Sequence, residues 1–168
     1  MFNTPYGLKL TIAQVAEEIV RFMKADDQHR YKIVIGTDSE GFEPSSFLVD
    51  FVTAIVIHRV GNGGRYFWRR AELGKFHTLR DRIIQEVMLS LEAAKEILAV
   101  LKTYQSPDFS AEGGPTSGWD FEIHADIGEK GETRTMIQEV VGMIRANNFE
   151  ARTKPNSYAA SNVADRHV

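Results

Sequence analysis

The sequence predicts an α/β fold built on one mixed, five-stranded β-sheet covered by helices. Three observations predict it. Three strand-like runs come first, two of them joined by the turn Gly61-Asn62-Gly63-Gly64. Strands then alternate with helices, giving the order βββαβαβα behind one extra N-terminal helix. The length of 168 residues, with 43% apolar and 26% charged side chains, suits a single domain spanning 1–168.

The N-terminal helix is expected over 11–24. Thr11 and Gln14 have capping-box spacing, and Leu10 and Val15 stand where a hydrophobic staple would. Ile12, Val15, Ala16, Ile19, Phe22 and Met23 then repeat with helical period. Tyr31 to Thr37 reads as a strand buried on both faces, Phe47 to Val60 as a longer one, and Arg65 to Arg70 as its hairpin partner. A long helix follows over Leu79 to Leu101, with the stripe Leu79, Ile83, Val87, Leu91, Ala94, Leu98 and Leu101. The Ser-, Gly- and Pro-rich stretch 105–118 reads as a loop inside the domain. Trp119 to Ile127 is the next strand and Thr133 to Ala146 a helix that Asn147-Asn148 ends in a left-handed turn. Phe149 to Thr153 is a short strand. Ser157 to Asp165 is a last helix capped by Asn156 or Ser157, with the small face Ala159, Ala160, Val163 and Ala164.

Composition excludes several classes. There is no cysteine, so disulfide frameworks and thiolate metal sites are ruled out. No apolar run approaches the ~20 residues of a membrane span, and the start carries no signal-peptide pattern. A cytoplasmic protein without membrane attachment is expected. The net charge of −3 leaves only local surfaces for nucleic acid.

The acids fall in a pattern. Ligands of parallel sheets bind outside the carboxyl ends of strands. Asp38 follows the run Ile33 to Thr37, and Asp126 follows Phe121 to Ala125. Each alone also suits a turn. At ~100° per residue, Glu86 borders the buried stripe of the long helix, whereas Asp81, Glu92 and Glu96 point away. Pairing with Arg82 one turn earlier would equally explain Glu86. Asp165 sits at the end of the last helix, where cations are preferred. Four acids in one crevice need cations between them, and hard divalent ions take oxygen ligands.

In order, Ile35-Gly36-Thr37-Asp38-Ser39, Arg82-Ile83-Ile84-Gln85-Glu86-Val87 with Ser90-Leu91-Glu92, Ala125-Asp126-Ile127-Gly128, and Lys154 to Ala160 continuing to Val163-Ala164-Asp165-Arg166 resemble the YkuK-like family of bacterial ribonuclease H-like proteins. The resemblance runs from Tyr6-Gly7 to the last residues. It implies a ribonuclease H-like fold with a four-carboxylate site. Asp38 would bridge two metal ions, Glu86 would be the helix ligand, Asp126 the fourth-strand ligand, and Asp165 would help hold the second metal. A shifted helix would present Glu92 instead; the facing of the helix selects Glu86. The implied cofactors are two magnesium or manganese ions. The implied reaction is hydrolysis of phosphodiesters in RNA, within an RNA–DNA hybrid or a structured nucleic acid. The alternative is a catalytically silent nucleic-acid-binding or scaffold protein of the same fold.

Other residues keep two readings. Ser39 stands beside Asp38 as a supporting hydroxyl. His124 shares the strand face of Asp126 and reads either as a proton-transfer partner or as a buried structural histidine. Lys154 reads as a phosphate contact or a solvated lysine. From Arg59 to Arg82 there are seven basic side chains against two acids, a net of +5, with Tyr66, Phe67 and Trp68 interleaved. Arg65, Arg69, Arg70 and Lys75 would meet phosphates there. The same pattern serves to protect an edge strand, and a homodimer surface is a third use.

Overall fold

The computed structural model describes residues 1–40, 48–74, 76–104 and 119–168. Phe47, Lys75 and the loop expected over 105–118 lie outside the described residues. The elements are β1 (Phe2–Asn3), β2 (Lys9–Leu10), α1 (Ile12–Lys24), β3 (Tyr31–Ser39), β4 (Leu48–Arg59), β5 (Gly64–Gly74), α2 (Leu79–Leu101), β6 (Trp119–His124), α3 (Ile137–Ala146) and β7 (Glu150–Arg152). A π-helical turn over Ala159–Ala164 and a 3-10 turn over Asp165–His167 follow β7.

The strand order is β2-β1-β5-β4-β3-β6-β7. β3, β4 and β5 pair antiparallel, while β3–β6 and β6–β7 are parallel. The mixed sheet is therefore as expected, but it has seven strands rather than five, and the element order opens with a hairpin ahead of α1. The additional strands are two residues each, too short to leave a periodic signature. Thr4 closes them: its N–H donates to the Leu8 carbonyl at 2.9 Å, and its hydroxyl accepts from Leu8 N–H at 3.1 Å. The pair Asn3–Trp68 attaches this hairpin to β5, which covers an edge that would otherwise template aggregation.

The capping box at Thr11 and Gln14 is present, with both hydrogen bonds made. Helix α2 runs over the predicted residues, opened by the Thr78 hydroxyl accepting from Asp81 N–H at 3.0 Å. Two helices depart from expectation. The first turn of the segment before α3 is 3-10 rather than α. The C-terminal segment is π-helical, not an α-helix. Ala159 and Ala164, five residues apart, are both fully buried against the sheet, on Val34 and Val56 and on Val52 and Ala54. An i→i+5 turn brings both onto one face, which a 3.6-residue turn does less well.

Residue alternation along β3 then sorts the chemistry. Ile33, Ile35, Thr37 and Ser39 face α1 and α2, where the main core lies. Val34 faces the C-terminal segment instead, and Asp38 shares its parity.

Candidate functional site

Gly36 pairs with His124 in the parallel register of β3 and β6. Two residues on, Asp38, still in β3 opposite Val52, and Asp126, two residues past the end of β6, come to the same level near the carboxyl ends of neighbouring strands. The Asp38 Oδ1 accepts from Ser39 N–H at 2.9 Å. The Ser39 hydroxyl points to the other face and donates to Glu86 Oε1 at 2.6 Å. Behind it, the Thr37 hydroxyl meets those of Ser90 at 2.8 Å and Thr53 at 3.0 Å. This polar chain fixes α2 against β3 and β4, and with it Glu86. A small cavity borders the chain, lined among others by Thr37, Ser90, Glu86 and Asp126.

Burial and mutual repulsion shape the charges. Burial pushes the Asp38 carboxyl up to about 6; the Ser39 N–H opposes this, and the charges of Asp126 and Asp165 add to it. Burial pushes Glu86 up to about 8, against the Ser39 hydroxyl, with Asp38 and Asp126 adding repulsion. Arg82 is the cation that eases both. It donates through Nη1 to the Glu40 carbonyl at 3.0 Å, and its buried Nε has no partner. The sequence offered Arg82 as a helical pair for Glu86 and as one of the seven cations of the basic segment. All four acids are thus coupled electrically. Asp126 Oδ1 is buried without a hydrogen-bond partner, and Oδ2 accepts from Lys154 Nζ at 2.8 Å. Asp165 is exposed. Glu92, the competing helix acid, is exposed and stands 3.7 Å from Arg69.

A family model described as ribonuclease H-like matches residues 14–168. The chain belongs to the ribonuclease H-like family. It is also 34% identical over 162 residues to the uncharacterized protein YkuK of Bacillus subtilis (strain 168), covering 94% of this chain and 91% of that one. No solved structure matches it significantly. Membership of a ribonuclease H-like family points to a nucleic-acid-related role. Among the described residues, no three Asp, Glu or His side chains stand close enough together to hold a metal ion as they are. No described helix is long and apolar enough to cross a membrane.

The basic segment of this ribonuclease H-like chain is more neutralised than its composition implies. Arg65 pairs with Glu18 at 2.9 Å, Arg69 with Glu96 at 2.8 Å, and Arg70 with Asp50 at 3.0 Å. Arg59 pairs with Asp26 and Arg80 with Glu139. Their acids come from α1, β4, α2, α3 and the turn after α1, which no local charge count reveals. Alternation along β5 holds: Phe67 enters the main core, and Tyr66 and Trp68 face the C-terminal segment.

His124 is wholly buried, with both ring nitrogens engaged. Nδ1 accepts from Ala159 N–H at 3.2 Å, so Nε2 carries the proton and faces Glu122 at 3.3 Å. Burial holds this imidazole below its ordinary pKa. Glu122, a residue that sequence reasoning missed, also accepts from Lys32 at 2.9 Å and Arg152 at 3.3 Å. Burial pushes Glu122 up, but these hydrogen bonds outweigh it and hold the carboxyl below its usual value. The group ties β3, β6 and β7 to the start of the C-terminal segment.

The far end of that segment is held by aromatic stacking. The His167 ring lies 3.8 Å from Trp68 at 9°, and Arg70 donates to the His167 carbonyl. This contact fixes the turn that carries Asp165. Such a ring pair is worth about 0.5–1.5 kcal/mol. His167→Ala is therefore expected to speed amide exchange over Ala159 to His167 by up to about tenfold, with melting shifted by less than about 6 °C. Unchanged exchange in that segment would show that the stack does not anchor it.

Proposed function

We propose that this protein is a metal-dependent nuclease that hydrolyses phosphodiesters of RNA, within an RNA–DNA hybrid or a structured nucleic acid. Asp38, Glu86, Asp126 and Asp165 would hold magnesium or manganese, two ions when fully loaded. The observation that carries the reading is Asp126 Oδ1, buried and unpartnered, whose carboxyl adds to the burial that raises both Asp38 and Glu86, with Asp165 adding to Asp38. The donor set fits a hard cation in kind, since every donor is oxygen. Bound there, such ions supply a nucleophilic water at neutral pH and charge for the leaving oxygen.

The chain's own groups have distinct tasks. Asp38 is oriented by its Ser39 N–H, which engages Oδ1. Glu86 is positioned by the Ser39 hydroxyl and is largely protonated at neutral pH until a cation displaces the proton. Arg82 offsets the acidic charge of Asp38 and Glu86, and its buried Nε is unpartnered.

Manganese titration of thermal stability tests the reading. A ligand bound only by the folded state raises the melting temperature. The wild type is expected to gain several degrees at saturating manganese, and Asp38→Asn/Asp126→Asn is expected to gain none. A wild type that gains nothing would sink the metal site. One observation favours a second reading, a catalytically silent binding protein of this fold: the described acids do not close into a three-ligand group. That protein would bind nucleic acid with salt-sensitive affinity unaffected by the double substitution.

A further inference from the structure

We propose that Lys154 is a built-in counter-ion of Asp126 that competes with a divalent cation for that carboxylate. The inference rests on the reading of Asp126 as a metal ligand and names what regulates it.

The backbone delivers this lysine deliberately. Beyond β6 and β7 the two chains stay paired: Ala125 N–H donates to the Arg152 carbonyl at 2.9 Å, and Lys154 N–H donates to the Ile127 carbonyl at 2.8 Å. That register lays Lys154 alongside Asp126. Gly128 makes room for its stem, because a Cβ at that position would stand 3.0 Å from Lys154 Cβ. The ammonium then reaches Asp126 Oδ2 at 2.8 Å. Among the described residues, Asp38, Glu86 and Asp165 make no ion pair, so the lysine serves one acid of the four.

Proximity sets the two cations against each other. Magnesium sits about 2.0–2.1 Å from a carboxylate oxygen. Placed on Asp126 Oδ2, it would stand within a few ångströms of the ammonium, and the two positive charges would repel. Lys154 is also free to leave, since about half of its side chain faces solvent and its four-carbon stem is flexible. Metal affinity is therefore set by a competition: the lysine neutralises Asp126 when no metal is present and raises the concentration at which metal binds.

Calorimetric titration with manganese, on wild type, Lys154→Met and Asp126→Asn, tests this. Lys154→Met is expected to bind about tenfold more tightly than the wild type, and Asp126→Asn to lose binding. In the wild type, acylation of the Lys154 amine, mapped by mass spectrometry, is expected to accelerate at saturating magnesium. Equal or weaker manganese binding in Lys154→Met, with binding lost in Asp126→Asn, overturns the counter-ion and leaves the metal site standing. No manganese binding in any folded variant removes the metal site and the counter-ion with it. Should Lys154→Met fail to fold, the acylation rate decides: a rate unmoved by magnesium that raises the wild-type melting temperature overturns the proposal.

Discussion

Asp38→Asn is expected to lower magnesium-dependent cleavage of a labelled RNA–DNA hybrid by about a thousandfold or more, a barrier change of about 4 kcal/mol. The amide keeps the shape of the side chain and can still accept from Ser39 N–H, so the backbone geometry at the end of β3 survives. What disappears is a negative charge that is coupled to those of Asp126 and Asp165. Those two neighbours raise the pKa of Asp38, so removing its charge relieves repulsion in the metal-free protein. The variant should therefore melt no lower than the wild type while losing cleavage, which separates a lost ligand from a lost fold. Asp126→Asn should behave alike in rate. Glu92→Gln is the useful contrast, because Glu92 is exposed beside Arg69; its rate should stay within about twofold of the wild type. Initial rates on the purified variants decide. An Asp38→Asn rate within a few-fold of the wild type would remove Asp38 from the chemistry, and a large loss in Glu92→Gln would return the helix assignment to Glu92.

The positions of Asp38, Asp126 and Glu86 were legible in the sequence because each depends on local rules, whereas the role of Asp165 came only from the family resemblance. Asp38 and Asp126 follow apolar strands, and a parallel pair puts such residues at one level. Glu86 follows from helical period alone, since α2 keeps its predicted bounds. The partners were not legible. The acids that neutralise Arg65, Arg69 and Arg70 lie 47, 27 and 20 residues away in sequence, so a local count finds a basic patch where the fold makes ion pairs. Glu122 alternates on its strand like any polar residue, and only the neighbouring strands show that Lys32 and Arg152 converge on it. The hairpin of β1 and β2 escaped because two residues carry no period. The π-helical turn escaped because its spacing is dictated by the sheet it sits on rather than by its own pattern.

A metal-free sample is expected to lose stability as pH rises from about 6.5 to 8.5. Glu86 moves from an ordinary 4.5 in the unfolded chain to about 8 in the fold, and Asp38 from 3.8 to about 6. Across those intervals the folded state keeps protons that the unfolded chain releases, so stability falls with rising pH. The contribution of each group is fully present below its unfolded value and is lost as pH rises toward its folded value. The part due to Asp38 is over near pH 6. His124 and His167 are held below the ordinary histidine value and add stability as pH rises to about 6.5; the lowered Glu18, Asp26 and Glu122 act only in acid. Between 6.5 and 8 the buried Glu86 is therefore the group that sets the slope. One proton is worth about 1.4 kcal/mol per pH unit, so the window is worth roughly 2 kcal/mol, or about 4–8 °C of melting temperature at this chain length. Glu86→Gln should flatten that slope while retaining a hydrogen bond from Ser39, and so be the more stable protein at pH 8. Saturating magnesium should flatten it too, because a cation replaces the proton that holds the acids together. Melting curves at half-unit steps of pH measure this directly. A wild type whose melting temperature is constant or rises over that range would mean that Glu86 ionises as readily in the fold as in the open chain, and that its place beside Ser39 is wetter than the burial of α2 implies.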